Sequence, residues 1–299
     1  MKVYNPAKYS YVYVAEVPKS EIDNIDFARC EEPTETLAHF YNRQKIKPSL
    51  IVNGGFFNMA DGTPCFNYMD DGVTLAKDSA FPFGMGITGA GELLYTSNIG
   101  YRSDWRDFLS AYPPLIVGGS AVNTSYASEI SYKARRTILA YNDDSVFLVA
   151  VDSPGMTFDD AKKMLLEIGC TNAINLDGGG STKMLYEGKS ITKSYTNRPV
   201  DNVVAIYLKD DNKSNSTADD TMIYRVQVGA YARKENAEKT KNAIAKIPDA
   251  IGAGYANARI ILAGGIYKVQ VGAFSKKENA EKVVNDLGRN GVTSFITTT

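Results

Sequence analysis

A repeated segment in the last third of the sequence limits the folds open to this chain more than any other feature. Residues 224–239 read YRVQVGAYARKENAEK and residues 267–282 read YKVQVGAFSKKENAEK, so twelve of sixteen positions are identical. In each copy, alternating apolar residues predict a strand, Gly-Ala predicts a turn, and KENAEK predicts a helix. Two such units with intervening strands make a small βαβ–βαβ module of the ferredoxin-like type. The repeat therefore predicts a separate domain at residues 222–299.

The strands of this module present one polar face. In the first copy, Val226 and Val228 alternate with Arg225 and Gln227, and the second copy follows the same order. Because successive side chains of a strand point to opposite faces, the valines are expected under the helices and the polar residues on the open face. A face that offers amide, basic and aromatic groups can bind a sugar chain or a single-stranded nucleic acid.

A polar linker separates this module from the rest of the chain. Residues 210–221 contain no aromatic or large aliphatic side chain, so they cannot build a core. The remaining domain is residues 1–209. Residues 1–221 carry 21 basic and 28 acidic residues, a net charge of −7, whereas residues 222–299 carry 12 and 6, a net charge of +6. The basic module favours an anionic polymer as partner, either nucleic acid or a bacterial wall polymer.

Composition disfavours several classes of protein. No apolar run approaches the roughly 20 residues needed to cross a bilayer, so we expect no stable membrane insertion. Cys30, Cys65 and Cys170 show no metal-ligand spacing, and the single histidine, His39, makes a zinc site rich in His or Cys and a Ser-His-Asp triad poor hypotheses. The first seventeen residues lack the basic-then-apolar layout of a secretion signal, so synthesis in the cytoplasm is expected.

In residues 1–209, two carboxylates follow predicted strands. The apolar run Val146–Val151 ends at Asp152, and Asp177 follows a shorter apolar run. Between them, a helix is predicted over Phe158–Ile168, with Thr157 as its N-cap. If the two strands are parallel neighbours, both carboxylates lie at the edge where open α/β sheets bind ligands. A mixed α/β domain is therefore expected, within a chain of the α+β class.

Two glycine-rich stretches follow predicted strands, NGGFFN at residues 53–58 and NLDGGGST at residues 175–182. Glycine admits positive φ and close approach of a ligand to the backbone. Asparagine both donates and accepts hydrogen bonds, which suits sugar hydroxyls or the ordering of a loop. At this point two interpretations stay open, a site for a polar substrate and a pair of capped turns.

Two further helical segments are predicted from pattern alone. Pro33–Gln44 reads as a helix with Leu37, Phe40 and Tyr41 on its apolar stripe. Trp105–Leu109 reads as one helical turn or slightly more.

Residues 222–299 resemble the SPOR domain, because both copies of the repeat read YxVQVGA(Y/F) before a helix of the KENAEK type. The resemblance implies binding of bacterial peptidoglycan, notably of glycan strands stripped of their stem peptides. The candidate surface residues are the amide and aromatic ones: Gln227, Tyr231, Gln270 and Phe274.

Residues 1–210 resemble the phosphodiester glycosidase family, which includes the enzyme that removes N-acetylglucosamine from the mannose 6-phosphate diester of lysosomal proteins. Six motifs occur in the family's order: NGGFF at 53–57, Arg-Thr at 136–137, a strand ending at 152, GMT at 155–157, NLDGGGS at 175–181 and R-x-V-x-N at 198–202. Where the family often reads VDGR after the middle strand, this chain reads VDSPG. A glycine and an arginine are thus missing beside Asp152.

The resemblance implies a site that hydrolyses a glycosyl phosphodiester. Glycosidases commonly use two carboxyl groups, here Asp177 and Asp152. Arg136 and Arg198 would grip the phosphate, and Asn53 would position the sugar or meet developing charge. Further substrate contacts are expected from Gly55, Asn58, Asn175, Gly178, Gly179, Gly180, Ser181 and Asn202. No cofactor is required; a divalent cation could bridge the carboxylates to a phosphate, but no ligand spacing demands one.

The leading hypothesis is a glycosidase that acts on the bacterial cell wall and is anchored to peptidoglycan glycan strands or another wall polymer. With no secretion signal in view, a phage endolysin or a mother-cell lysin fits this architecture. The alternative is a non-enzymatic peptidoglycan-binding protein that keeps the glycosidase fold. A third hypothesis, nucleic-acid binding, predicts salt-sensitive binding to single strands, and the two resemblances argue against it. The oligomeric state is left open.

Overall fold

The computed structural model of the 299-residue chain describes all residues except 32, 102–103, 124–130, 194–196, 210–222, 249–254, 256–257, 264, 275 and 299. The predicted linker, residues 210–221, lies outside the described residues. Within the described part, four α-helices and four β-sheets are present. None of the described helices is long and apolar enough to cross a membrane.

The helices are α1 (Leu37–Arg43), α2 (Phe158–Glu167), α3 (Lys234–Ile244) and α4 (Lys277–Arg289). The strands of the first domain are β1 (Lys2–Tyr4), β2 (Val12–Pro18), β3 (Ile22–Arg29), β4 (Leu50–Asn53), β5 (Tyr68–Asp70), β6 (Val73–Ala76), β7 (Gly84–Thr88), β8 (Leu93–Thr96), β9 (Trp105–Leu109), β10 (Pro114–Val117), β11 (Ser120–Ala121), β12 (Ala134–Tyr141), β13 (Ser145–Met156), β14 (Asn172–Asn175), β15 (Met184–Tyr186), β16 (Lys189–Ser190) and β17 (Asn202–Leu208). The second domain adds β18 (Tyr224–Tyr231), β19 (Arg259–Ala263), β20 (Ile266–Phe274) and β21 (Phe295–Thr298).

Three of the sheets belong to the first domain. Sheet 1 has the order β1-β2-β13-β12-β14-β10-β11, sheet 2 has β16-β15-β4-β17-β3, and sheet 3 has β6-β5-β9-β7-β8. Neighbouring strands in these sheets pair antiparallel. The first domain is therefore dominated by antiparallel pairing, with few helices.

Sheet 1 is buried on both faces, which explains why β13 is apolar without alternation. Val146 and Leu148 pack into the main core between the sheets. Phe147 and Val149 point the other way and pack with Phe158 of α2. A strand with two dry faces needs apolar side chains at every position.

Sheet 2 repeats this arrangement on the far side of the main core. Leu50 and Val52 of β4 face the core shared with sheet 1. Ile51 faces outward and packs with Leu37 and Phe40 of α1. The layers thus run α2, sheet 1, sheet 2, α1, with sheet 3 closing one side of the main core.

The structure confirms the two longer helix predictions and corrects their limits. In α2, the Thr157 hydroxyl accepts the Asp160 N–H as predicted. In α1, Thr36 is the N-cap, because Glu35 still pairs with Val200 in a β-bridge. The predicted turn of helix at Trp105–Leu109 is wrong.

That segment is strand β9, and its tertiary contacts explain why. The indole of Trp105 packs directly over Gly86 of the neighbouring strand β7, where any side chain would overlap the ring. Trp105, Phe108 and Leu109 have the i, i+3, i+4 spacing of a helix, yet they belong to a strand whose faces are both covered.

Asp152 lies within β13, which runs on to Met156 instead of ending at Asp152 as predicted, and Asp177 follows β14; these two strands are not neighbours. Strand β12 lies between β13 and β14 and is antiparallel to both, so β13 and β14 run parallel to each other. The expectation of adjacent strands is therefore wrong. The expectation that both chain segments reach the same edge of the sheet is correct, because parallel strands end on the same side.

The second domain has the predicted βαβ–βαβ order, β18-α3-β19 followed by β20-α4-β21. Its four strands form one antiparallel sheet, β19-β20-β18-β21, which is the ferredoxin-like arrangement. Val226, Val269 and Val271 are buried under the two helices with Ala280. The alternation of the repeat thus gives the core of this domain directly.

The cap of α2 gives a test of the fold. Replacing Thr157 with alanine removes the acceptor for the Asp160 N–H, so the free energy of unfolding should fall by about 1 kcal/mol. Thr157→Ser keeps the hydroxyl and should stay close to the wild type. Chemical denaturation measures both variants, and equal stability of the alanine and serine forms would contradict the role of the cap.

Candidate functional site

The polar motifs of the first domain meet where β4 and β14 end and β17 begins. Asn53 closes β4 and pairs with Val203, next to Asn202 at the start of β17. On sheet 1, Ile138 of β12 pairs with Asn175 at the end of β14. The edge common to sheets 1 and 2 therefore collects the glycine-rich stretches that lie far apart in the sequence.

The buried side chain of Asn53 connects three segments of the chain through hydrogen bonds. Its Nδ2 donates to the backbone oxygen of Asp177 at 2.7 Å, while its Oδ1 accepts the Thr137 hydroxyl at 2.7 Å and the Lys183 N–H at 3.2 Å. The residue has no exposed surface. Asn53 therefore positions Asp177, and its buried side chain is not placed for the contact with sugar or developing charge that the sequence analysis predicted.

The glycines after Asn53 allow the two sheets to approach closely. Gly55 N–H donates to Asn202 Oδ1 at 2.7 Å, and Gly54 accepts the Asp177 N–H through its carbonyl at 3.0 Å. A side chain on Gly54 would overlap the Asn202 amide. Gly55 and Asn202 thus form part of the frame under the site, and Asn202 is only 1% exposed.

The Asp177 carboxyl is the ionisable group at the centre of this edge. Its Oδ1 accepts the Gly178 N–H at 2.8 Å. Burial raises the pKa of Asp177, while Ser181, the Gly178 N–H and the positive charge of Arg198 oppose that rise. A half-buried carboxyl with a raised pKa beside an arginine is typical of a functional site.

The glycine loop leads from Asp177 to two buried hydroxyls. Gly178 lies against the Arg135 carbonyl, and Gly179 has φ +59°, which favours glycine. The Ser181 and Thr182 hydroxyls are buried and meet no partner with hydrogen-bond geometry among the described residues. Ser181 is near enough to oppose the rise in the pKa of Asp177, so its hydroxyl and the carboxyl lie side by side.

Arg198 lies directly against the loop. A Cβ on Gly180 would overlap the guanidinium of Arg198, so the glycine makes room for that group. Arg198 also lowers the pKa of Asp177 through its charge. Its side chain is half-buried. The structure therefore brings Asp177, the Gly178–Gly180 loop and Arg198 together, as the resemblance implied.

Arg136 points away from this site. Its guanidinium stacks on Phe158 at 3.8 Å from the ring centroid and donates to the carbonyls of Met156 and Tyr132. Strand alternation places its neighbours Arg135 and Thr137 on the site side. Arg136 is therefore a packing residue of the helix-covered face, and the prediction that it grips phosphate is wrong in this structure.

Arg135, which the sequence analysis missed, links the second carboxylate to the glycine loop. Its Nη2 donates to the Thr182 carbonyl at 2.6 Å, and its Nε lies 3.3 Å from Asp152 Oδ1. Strand periodicity across the Arg135–Thr137 segment could have found it, but a bulge between Ala134 and Arg136 obscures the register.

Asp152 is occupied by protein partners. Its carboxylate accepts the N–H groups of Ser153 at 2.9 Å and Lys193 at 2.6 Å, besides the ion pair with Arg135. It is 6% exposed. The carboxylate thus holds Arg135 and the chain near Lys193 in place, and its geometry does not resemble that of a free catalytic acid.

The two remaining asparagines also have local partners. Asn58 is exposed, and its Oδ1 accepts the Ala60 N–H at 3.0 Å, so it caps a turn. The Asn175 amide donates to the carbonyls of Tyr112 and Leu176, both at 2.8 Å. Each residue orders the loops around the site, which is the simpler of the two interpretations that the sequence allowed.

Lys183 is a further cation beside the loop that the sequence analysis did not single out. Its Nζ donates to Asn197 Oδ1 at 2.8 Å, next to Arg198 in the chain. Burial lowers its pKa. A partly exposed lysine near Arg198 adds positive charge where an anionic ligand would bind.

In the second domain, the four predicted surface residues differ in exposure. Gln270 and Tyr231 are half-buried, and the Tyr231 hydroxyl accepts a hydrogen bond from Thr240 at 2.7 Å. Gln227 is 5% exposed. Phe274 is 1% exposed and packs in the same cluster as Val73 of the first domain, so it is not on an open surface here.

Comparison with known families decides the identity of both domains. The phosphodiester glycosidase profile matches residues 47–207, which is more than half of the sequence. The chain belongs to the phosphodiester glycosidase family. A SPOR domain profile matches residues 221–298, so this family member carries the domain type that binds peptidoglycan.

Two solved structures share the fold of the glycosidase domain. The catalytic domain of zebrafish N-acetylglucosamine-1-phosphodiester alpha-N-acetylglucosaminidase, auto-inhibited by its pro-peptide, is 19% identical with a TM-score of 0.56, covering 70% of this chain and 81% of that one. A hypothetical protein from Synechocystis is 16% identical with a TM-score of 0.55, covering 70% and 61%.

A curated relative matches over a shorter stretch. The SPbeta prophage-derived uncharacterized protein YomE of Bacillus subtilis (strain 168) is 32% identical over 103 residues, which are 32% of this chain and 16% of the relative. This glycosidase family member therefore spans about a sixth of that relative's length.

The contact between Gly180 and Arg198 gives a test of the site. Gly180→Ala should displace the flexible guanidinium and lower activity on a phosphodiester substrate, while the melting temperature changes little. In an Arg198→Gln background, the same alanine should have no further effect, because the group it displaces is gone. Steady-state kinetics of the four forms measures this coupling, and additive losses would contradict the contact.

Proposed function

We propose that this protein hydrolyses a glycosyl phosphodiester of the bacterial cell wall, of the N-acetylglucosamine phosphate type or a related wall glycan bond. One observation carries the proposal: a half-buried Asp177 carboxyl with a raised pKa sits on a glycine loop against Arg198. A carboxylate paired with a phosphate-binding cation is the chemistry that such a bond requires.

In the proposed step, Asp177 acts as a general base. A water oxygen bonds to the anomeric carbon while Asp177 takes the water's proton. The bond from that carbon to the phosphate oxygen breaks, and its electron pair leaves with the phosphate. A raised pKa makes the ionised carboxylate a stronger base, provided that the pH keeps it ionised.

Arg198 would bind the phosphate and stabilise the charge that grows on it. The guanidinium donates in a planar fork that matches two phosphate oxygens. Lys183 lies nearby and would add to the positive field. The Ser181 hydroxyl, which lies beside Asp177, and the Gly178–Gly180 loop would contact the sugar or the phosphate.

A single free carboxylate is sufficient for this bond. Two carboxyl groups are common in glycosidases because most leaving groups need a proton. A phosphate leaves without one. The Asp152–Arg135 ion pair would then serve as the support for the loop, and we do not assign it a proton-transfer role.

The SPOR domain would concentrate the enzyme on its substrate by binding the glycan strands of peptidoglycan, with Tyr231 and Gln270 as contact residues. The match to a prophage-derived protein supports a phage lysin as the source of this activity. In that setting the protein would reach the wall as an endolysin, and a mother-cell lysin would use the same chemistry.

A second candidate function is binding to peptidoglycan without hydrolysis. The observation that favours it is the engagement of Asp152 by Arg135 and two backbone N–H groups, which leaves one free carboxylate at the site. This alternative predicts no turnover of purified walls or of a chromogenic N-acetylglucosamine phosphodiester. The protein would still sediment with sacculi, and the two results together would establish the alternative.

Asp177→Asn tests the catalytic proposal. The amide can still accept the Gly178 N–H, but it cannot accept a proton, so release of fragments from purified walls should fall by about 10²–10⁴-fold. Because the folded state raises the pKa of Asp177, ionisation costs stability as the pH rises through that pKa. The melting temperature of the variant at neutral pH should therefore equal or exceed that of the wild type.

Asp143→Asn, in an exposed turn, is the matched control and should keep full activity. Mass spectrometry of the released fragments and a melting curve measure both variants. Full activity of Asp177→Asn would show that the base is another group.

The pH profile tests the pairing of Asp177 with Arg198. A general base works only when ionised, so the acid limb of kcat/KM against pH follows the pKa of Asp177. Arg198 lowers that pKa, and removal of its charge in Arg198→Gln should move the acid limb to higher pH. Lys189→Gln, an exposed charge on β16, should leave the limb in place. A limb that stays fixed in Arg198→Gln would contradict the pairing.

A further inference from the structure

A group of carboxylates with no part in the proposed reaction lies on sheets 2 and 3. Asp26 of β3, Asp70 of β5 and Asp107 of β9 place carboxylate oxygens within 4.8 Å of one another. Asp71 follows directly, and its N–H donates to Asp107 Oδ1 at 2.8 Å. So many negative charges in a mostly buried place need positive partners.

Arg106 supplies one of these partners. Its Nη2 donates to Asp107 Oδ2 at 2.8 Å, and its Nη1 donates to Asn24 Oδ1 at 2.9 Å. Burial raises the pKa of Asp107 to about 8, and burial likewise raises the pKa of Asp26. One arginine therefore leaves the group under-neutralised.

The second positive partner comes from the SPOR domain. The Lys276 ammonium lies 3.2 Å from Asp70 Oδ1, although 40% of the lysine side chain is still accessible to solvent. The carboxylates of Asp70 and Asp26 raise the pKa of Lys276 against the opposing effect of burial. Lys276 is thus the cation that completes the group.

Asp71 caps helix α4 from the other domain. Its Oδ2 accepts the Lys276 N–H at 3.0 Å and the Asn279 amide at 3.4 Å. The helix has no capping bond from its own N-cap side chain. A carboxylate at this position satisfies a free N–H and complements the helix dipole.

Apolar packing surrounds these polar contacts. Val73, which follows the Asp71–Gly72 turn, is 4% exposed and belongs to the hydrophobic cluster of the SPOR domain. Gly72 faces the ring of Phe274, where a Cβ would lie 3.4 Å from the nearest ring atom. The turn between β5 and β6 is therefore held by the SPOR domain through both charge and burial.

The first repeat carries the same kinds of residue at the start of helix α3. Arg233 corresponds to Lys276, and Asn236 corresponds to Asn279. Both first-repeat residues are exposed, whereas Asn279 is buried. Helix α3 also has no capping bond from its N-cap side chain. The two halves of a near-symmetric module thus stand in different surroundings.

We propose that the two equivalent helix ends of the SPOR domain divide two tasks: the end in the second repeat docks the domain on the glycosidase domain through Lys276, and the end in the first repeat, at Arg233, stays free to bind the wall polymer together with Tyr231 and Gln270. The wall-binding half of this statement rests on the proposed function. The docking half stands on the contacts alone. An anionic, carboxylate-bearing glycan is the ligand that Arg233 and the uncapped end of α3 fit, since Lys276 and α4 bind carboxylates in the same way.

The docking contact is separate from the candidate site. The contact is made after Asp70, at the end of β5. The opposite end of that strand begins after Asn67, whose carbonyl accepts the Ser110 N–H, and Ser110 lies beside Gly55 of the site. The docking contact and the candidate site therefore lie at opposite ends of β5, and a wall polymer bound to the first repeat would be held near the glycosidase domain.

Lys276→Met and Arg233→Met are the matched test, because the two residues hold equivalent positions in the repeat. The full-length variants are compared by small-angle X-ray scattering and by sedimentation with purified sacculi. We expect Lys276→Met to increase the radius of gyration and keep sacculus binding. Arg233→Met should keep the wild-type radius and weaken sacculus binding several-fold. The reverse pattern, or an unchanged radius in Lys276→Met, would overturn the proposal.

Further variants separate docking from simple destabilisation. Lys276→Arg keeps the charge and should remain compact, and Lys277→Met, which removes an exposed lysine paired with Glu281, should behave as the wild type. Lys276→Met and Asp70→Asn should each lower the melting temperature by roughly 2–6 °C, and the double variant should lower it no further than the worse single one. Additive losses would show that the two residues act independently, against the docking contact. The scattering result stands even if no hydrolytic activity is found.

Discussion

The amide of Asn53 holds the site of this protein together. Its two polar atoms connect the end of β4 to the backbone of Asp177, the hydroxyl of Thr137 and the N–H of Lys183. All of this happens without contact with solvent. Removing the amide would leave at least two buried polar groups without a partner, at a cost of about 1–3 kcal/mol each. The position of the Asp177 carboxyl therefore depends on a residue that never meets a substrate.

The glycines of both motifs also hold the site together, because they let neighbouring groups approach the backbone closely. At Gly54, the missing side chain leaves space for the Asn202 amide at the start of β17. At Gly180, it leaves space for the Arg198 guanidinium. The carboxyl, the loop and the guanidinium are consequently arranged before any ligand arrives. Preorganised charge of this kind is the largest single contribution in many enzymes. Because the frame is packed between two sheets, the main core restricts the motion of the site.

Much of this could be predicted from the sequence, and the failures have physical causes. The strands before Asp152 and Asp177, the helix at Thr157 and the twin units of the SPOR domain follow from periodicity and capping. Arg136 was chosen because it matches the Arg-Thr motif of the family, and the strand pattern alone cannot show the bulge between Ala134 and Arg136 that turns Arg135 toward the site. Phe274 was expected on an open face. The sequence of the repeat could not show its burial, because Phe274 packs in one cluster with Val73 of the other domain.

In the proposed reaction, every bond change apart from the proton transfer occurs at one carbon atom, the anomeric carbon of a sugar linked to phosphate. Hydrolysis of an N-acetylglucosamine phosphodiester in ¹⁸O-labelled water tests this claim most directly, with mass spectrometry of both products. Attack of water at the anomeric carbon, with Asp177 as base and Arg198 on the leaving phosphate, predicts that the label appears in the sugar and that the phosphate carries none. Label in the phosphate would mean that the phosphorus–oxygen bond is cleaved, and it would contradict the assignment of this site as that of a glycosidase.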